Sequence, residues 1–263
     1  MNKTTIQRVD ILGVSVSAIN YQMVLSQVRR WITKKEKRYA CVAAAHLIIA
    51  CQKDKILLEG VNRAGLITPD GMPLVWLLRR FGYRRVERVY GPTLMVELCT
   101  LAARRGWGVF LLGGAKGQSE EVKDAVLARL PKLQITGNID TPLRPIPNVL
   151  NQNIITHINR LRPKLVFVGL GCPQQELWMI ENRKKLDAPV LIGVGAAFDF
   201  LSGRVRQAPA WMQNVALEWL FRFLQEPGRL WYRYTVTNGS FLFLVCFDIV
   251  KKKVLLGKRV HVY

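Results

Sequence analysis

In residues 164–171, Lys164-Leu165-Val166-Phe167-Val168-Gly169-Leu170-Gly171, an unbroken apolar run follows the lysine and closes on glycine. A run this short and this apolar reads as a strand covered on both faces, and the glycines at its end read as a tight turn towards a ligand. The pattern recurs at 108–114, GVFLLGG, and at 189–198, PVLIGVGAAF. Longer segments of helical period separate these runs, which is the signature of an α/β fold with a Rossmann-like, mostly parallel sheet flanked by helices. Strands are expected at 9–16, 39–44, 107–113, 133–137, 164–170 and 188–194, and helices at 20–34, 45–64, 71–81, 93–105, 117–130, 148–161 and 173–186. The carboxyl ends of the central strands should line one crevice. Residues 138–147 read as a Pro-rich loop, and after about residue 203 the alternation stops and Trp, Arg and Pro become frequent. The chain thus divides into a core, 1–202, and a basic, helical C-terminal appendage, 203–263.

At 263 residues, half of them hydrophobic, the chain can bury a large core. Its 39 Lys and Arg against 18 Asp and Glu give a net charge of +21 and a field that favours anionic partners. Nucleic acid is not expected among them, because no reading motif accompanies the charge. Five cysteines, Cys41, Cys51, Cys99, Cys172 and Cys246, include no C-x-x-C pair, so neither a disulfide framework nor a zinc site is indicated. The polar N-terminus and the lack of a run of about 18 apolar residues lead to an expectation of cytoplasmic residence.

Four constellations can carry chemistry. In Thr68-Pro69-Asp70-Gly71 the aspartate falls at a strand-to-helix turn, where it can serve as a base or as a helix cap. Gly113-Gly114-Ala115-Lys116-Gly117 closes a buried strand and opens a helix, so it is either a backbone cradle for a diphosphate or a plain tight turn. Gln175 and Glu176, in the first turn after Gly169-Leu170-Gly171-Cys172-Pro173, can face the crevice. Asp199, between Phe198 and Phe200, can accept hydrogen bonds from a base or ribose, or cap a helix. His46, His157 and His261 are scattered and no Asp-x-Asp occurs, so neither a metal site nor a cofactor is expected. A bound diphosphate would then be met by cationic side chains. The appendage supplies ten Lys and Arg, including Arg204, Arg206, Arg222, Arg229 and Arg233, against Glu218, Glu226 and Asp248. Within it, 217–224 reads as an amphipathic helix, and the apolar stretch 241–250 runs into Lys251-Lys252-Lys253, which suits either an interfacial anchor or a core helix.

Taken in order, TPDGMPLVW (68–76), ERVYGP (87–92), VFLLGG (109–114), VFVGLGCPQQE (166–176), GVGAAFDFLSG (193–203) and QAPAWMQNVALEWLFRFLQEPGRLWYRY (207–234) resemble the bacterial WecG/TagA/CpsF glycosyltransferase family, from about Val9 to Tyr234. The resemblance implies a metal-independent, inverting transferase. Its donor would be a UDP-sugar and its acceptor an undecaprenyl-diphosphate-linked saccharide at the inner leaflet of the cell membrane, with an anionic membrane surface as a further partner and a homo-oligomer left open. By the same resemblance Asp70 is the general base and Gln175 a catalytic-pocket residue. On the same pattern Arg88 is a pocket residue and Asp199 a donor-nucleotide contact, while Thr68, Gly113, Gly114 and Glu176 are expected as substrate contacts from their own places at the strand ends. Arg222, Arg229 and Arg233 match arginines brought to the diphosphate, and Arg206 is a looser match. Two departures stand out. Where the family has a Thr-x-Asn or Ala-Asn segment after its second strand, this chain reads Cys41-Val42-Ala43-Ala44-Ala45-His46, with Ala44 in place of the Asn. The loop 138–147 also lacks the Gly-Tyr-Phe of some branches. The missing Asn supports an alternative, a catalytically altered relative that binds nucleotide or partner proteins at the membrane.

Overall fold

A computed structural model describes residues 6–141, 145–209, 211, 212 and 217–258, apart from the side chains of 229, 232–234 and 249–258. Its centre is a six-stranded sheet made of β3 (Arg38–Ala43), β4 (Leu66–Pro69), β5 (Gly108–Gly113), β6 (Gln134–Ile139), β7 (Leu165–Gly169) and β8 (Val190–Gly193). The order is β4-β3-β8-β7-β5-β6, and every pairing is parallel. Successive side chains of a strand point to opposite faces. Cys41, Phe110, Val166 and Leu191 therefore enter one core, and Ala40, Val109, Phe167 and Ile192 the other. Both faces are covered, which is why these strands carry continuous rather than alternating apolar residues.

Helices α2 (Ala45–Lys53), α3 (Lys55–Arg63), α4 (Met72–Arg80), α7 (Asn148–Leu161) and α8 (Gln174–Asn182) pack into the first core. Helices α1 (Tyr21–Thr33), α5 (Gly91–Arg105), α6 (Gln118–Arg129) and α9 (Ala197–Leu201) pack into the second. The neighbours β3 and β8 thus send their following helices, α2 and α9, to opposite faces. At such a switch point the loops diverge and a crevice opens beyond the strand ends.

Three local departures from the sequence reading have simple causes. The expected strand 9–16 is a hairpin, β1 (Arg8–Ile11) and β2 (Val14–Ser17), which forms a separate antiparallel pair. Leu12 and Gly13 both have positive φ, at 51° and 79°, as a two-residue primed turn requires. The expected helix 45–64 breaks at Asp54, whose carboxylate accepts a hydrogen bond from the Leu57 N–H at 3.0 Å and caps α3. Strand β6 runs two residues into the expected loop, to Ile139.

After α9 the chain forms α10 (Glu218–Gln225), α11 (Pro227–Tyr232), a π-helical turn (Arg233–Thr237) and α12 (Asn238–Lys258). Phe241 and Val245 of α12 are buried in the first core, whereas Leu242, Phe243 and Phe247 are exposed. No helix among the described residues is long and apolar enough to cross a membrane.

Candidate active site

The edge strand β4 delivers Asp70 to the mouth of the crevice. Its ladder with β3 continues one step past Pro69, as the Asp70 N–H donates to the Ala43 carbonyl at 2.8 Å. Helix α4 takes Gly71 rather than Asp70 as its N-cap. The Asp70 carboxylate instead meets Arg88, whose Nη2 stands 3.6 Å from Oδ1. Arg88 arrives on the segment between α4 and α5, which is tied to the end of β4 by the Val89 N–H donating to the Pro69 carbonyl at 2.8 Å. Its Nε donates to the Asp70 carbonyl at 2.6 Å, and its guanidinium lies 4.3 Å from the centroid of the Tyr90 ring.

Helix α10 closes this group from above. Glu218, 6% exposed, accepts from the Tyr90 hydroxyl at 2.8 Å through Oε1 and holds Arg88 Nη2 at 2.8 Å through Oε2. One turn later Arg222, 8% exposed, lies 5.1 Å from the Phe200 ring centroid, and its Nε has no hydrogen-bond partner among the described residues. Positions 218 and 222 share a helix face, so both side chains reach the same cleft. Burial works to lower the Arg88 pKa, but the Asp70 and Glu218 carboxylates outweigh it and hold the guanidinium above its ordinary value. Burial first, then Glu218, pushes the Tyr90 phenol up, so it stays a proton donor.

The resulting cleft has a volume of about 420 Å³. Asp70, Arg88, Tyr90, Glu218 and Arg222 make its polar side, and Met72, Pro73, Trp76, Phe241 and Leu242 its apolar side. Ala44 also lines it, as the N-cap of α2 that makes no side-chain cap hydrogen bond. An Asn at this position would both cap the helix and present an amide to the cleft.

A second group gathers beyond β5, β7 and β8. Asp199 Oδ1 accepts from Gln118 Nε2 at 2.9 Å. Gly113, at φ 122°, runs so close to Gly169 that a Cβ would lie 2.6 Å from its backbone, which forces glycine there. The glycine loop does not offer an open cradle. Gly114 N–H donates to the Gly169 carbonyl, Ala115 N–H to Gln118 Oε1, and Gly117 and Ser119 N–H to the Asp140 carboxylate at 2.6 and 2.9 Å. Asp140, from the end of β6, already occupies the anion position at the N-terminus of α6.

Of the residues singled out in the sequence, the structure therefore brings Asp70, Arg88 and Arg222 into one cleft. Gly113, Gly114 and Asp199 lie in the second group. Gln175 is buried, with Oε1 accepting from the Gly195 N–H at 2.9 Å and Nε2 donating to Glu176 at 2.7 Å. Glu176 is wholly buried beneath it, and burial pushes its carboxyl up to about 7. Thr68 is buried within β4 and its hydroxyl has no hydrogen-bond partner among the described residues. Arg206 is exposed, and its carbonyl accepts from Gln225. The side chains of Arg229 and Arg233 lie outside the described residues. Glu218 and Tyr90 join the site without having been singled out. The i, i+4 spacing of Glu218 and Arg222 within the amphipathic segment 217–224 was the signal that could have found the glutamate.

Comparison with known proteins agrees with this architecture. The model of the glycosyl transferase WecG/TagA/CpsF family matches residues 9–254. The N-acetylglucosaminyldiphosphoundecaprenol N-acetyl-β-D-mannosaminyltransferase of Bacillus subtilis (strain 168) is 30% identical over 81% of this chain and 84% of its own. The protein of the same name from Staphylococcus aureus (strain MW2) is 24% identical over 95% of this chain and 96% of its own. A match across nearly the whole chain, from the hairpin to α12, places this protein in the WecG/TagA/CpsF family of glycosyl transferases.

Proposed function

We propose that the protein transfers an N-acetylhexosamine from a UDP-sugar to a saccharide carried on undecaprenyl diphosphate, with inversion and without a metal ion. Asp70 takes the proton of the acceptor hydroxyl as that oxygen attacks the anomeric carbon from the face opposite UDP. The bond from the anomeric carbon to the phosphate oxygen breaks, and its electron pair leaves on the diphosphate. Arg222 and Arg88 stabilise the charge that develops there. The observation that carries this reading is Arg222, a buried guanidinium beside the cleft that makes no ion pair among the described residues. An unpaired buried cation is costly, and an anionic leaving group supplies its missing partner. The relatives' names support N-acetylmannosamine as the sugar and an N-acetylglucosaminyl diphospholipid as the acceptor.

The cleft lip supports a peripheral seat on the inner face of the membrane. Trp76, Trp219 and Leu242 line the cleft and are exposed, and Phe81, Phe243 and Phe247 extend the apolar surface along α4 and α12. Side chains of this kind insert shallowly into a bilayer while nearby Lys and Arg meet anionic head groups. Residues 203–263 would then complete the site and bind the membrane with the same helices.

Purified Asp70→Asn, assayed with UDP-N-acetylmannosamine and a synthetic N-acetylglucosaminyl diphosphoprenol, should lose at least about 100-fold in kcat while still binding UDP. Full turnover in this variant would remove Asp70 as the base. A second reading, a binding protein without turnover, is favoured only by Ala44 on the cleft wall, and any transfer by the unaltered protein excludes it.

A further inference from the structure

Arg88 Nη2 stands between two carboxylates, 2.8 Å from Glu218 and 3.6 Å from Asp70. The shorter contact has the length of a hydrogen bond but not its geometry, since Glu218 Oε2 has no hydrogen-bond partner among the described residues, so both contacts are ion pairs and the shorter is the stronger. We infer that Glu218 is a positioning residue for the transfer: it holds Arg88 by the short contact, so that the cation orients Asp70 without binding its carboxylate tightly. The inference rests on the reading of Asp70 as the base.

The arrangement around Glu218 supports this division of the cation. Tyr90 donates to the other glutamate oxygen, so the carboxylate is gripped at both ends, and it begins α10, where a helix N-terminus favours negative charge. Four residues on, Arg222 offers the favourable Glu-to-Arg spacing for a pair along the helix, yet Glu218 reaches across to Arg88. Arg222 is left without an ion pair among the described residues, beside the cleft, as a consequence. The Arg88 Nε is fixed by the Asp70 carbonyl at 2.6 Å, so the guanidinium cannot move far in either case. Without the glutamate charge, Asp70 becomes its nearest anion. A carboxylate bonded directly to arginine holds its proton more weakly and is a poorer base. Glu218 therefore protects the basicity of Asp70 while Arg88 still fixes its position.

The test uses the full-length protein with Glu218→Gln, which keeps an acceptor for Tyr90 but removes the charge, and Glu218→Asp, which keeps the charge. Steady-state kcat and KM are followed across pH, and the Asp70 carboxyl is titrated by carbon-13 NMR, assigned through Asp70→Asn. In Glu218→Gln the acid limb of kcat and the Asp70 titration should both move to lower pH, with kcat falling about tenfold and the donor KM little changed. Glu218→Asp should keep the limb near its original pH. An Asp70 titration that does not move in Glu218→Gln overturns the inference, whatever happens to activity. If Asp70→Asn remains active, the assignment of the base fails, and the NMR titration still decides whether Glu218 sets the proton affinity of Asp70.

Discussion

Replacing Glu176 with glutamine removes a proton-binding group from the fully buried start of α8 and keeps its shape. Burial raises this carboxyl from an ordinary 4.5 to about 7, against the opposing hydrogen bonds from Gln175 and Cys172. Its Oε2 has no hydrogen-bond partner among the described residues to offset the charged form. The folded state therefore binds the proton more tightly than the unfolded chain does. The stability tied to that proton is fully present below about pH 4.5, is lost as the pH rises through about 7, and stays lost above it. The rise in pKa corresponds to about 3 kcal/mol, an upper figure because local relaxation and water entry reduce it. Glutamine, which has nothing to titrate, should match the native protein near pH 4.5 and exceed its midpoint by about 5–10 °C at pH 8. Thermal or urea unfolding followed by circular dichroism at several pH values measures the gap. A gap that stays constant from acid to alkaline pH would show that Glu176 keeps its charge in the folded protein, and the argument from burial would fail.

Two further outcomes follow from the cleft. Arg222→Ala should lower kcat by about 100-fold with little loss of thermal stability, because it removes a buried cation that makes no ion pair among the described residues; equal losses of stability and activity would mean that Arg222 is mainly a packing residue. Replacing Trp76, Phe81 and Phe243 together with serine should reduce co-sedimentation with phosphatidylglycerol vesicles severalfold, and unchanged sedimentation would contradict the membrane seat at the cleft lip.

The sequence is most legible where one physical effect dominates. Strands β5, β7 and β8 are covered on both faces, and burial alone writes their apolar runs. The hairpin β1–β2 was hidden because a primed turn needs only two residues, and Leu12 and Gly13 interrupt an apolar run without lengthening it. In the cleft, Asp70 and Arg88 lie in compact motifs, but Glu218 acquires its role only by meeting Tyr90, 128 residues away in the chain. Asp140 illustrates the same limit. Nothing in the glycine loop's own residues reveals that a carboxylate from the next strand already satisfies its N–H groups.

The joining of Arg88 and Tyr90 to Glu218 also bears on how the protein is made. A ribosome delivers all six strands of the sheet, with Asp70 and Arg88, before it delivers α10. A chain that stops short of Glu218 has the strands, Asp70 and Arg88, but neither the glutamate that holds Arg88 nor Arg222. The cleft is thus finished only when the last helices are made, and a truncated product also lacks Phe241 and Val245, which α12 buries in the first core.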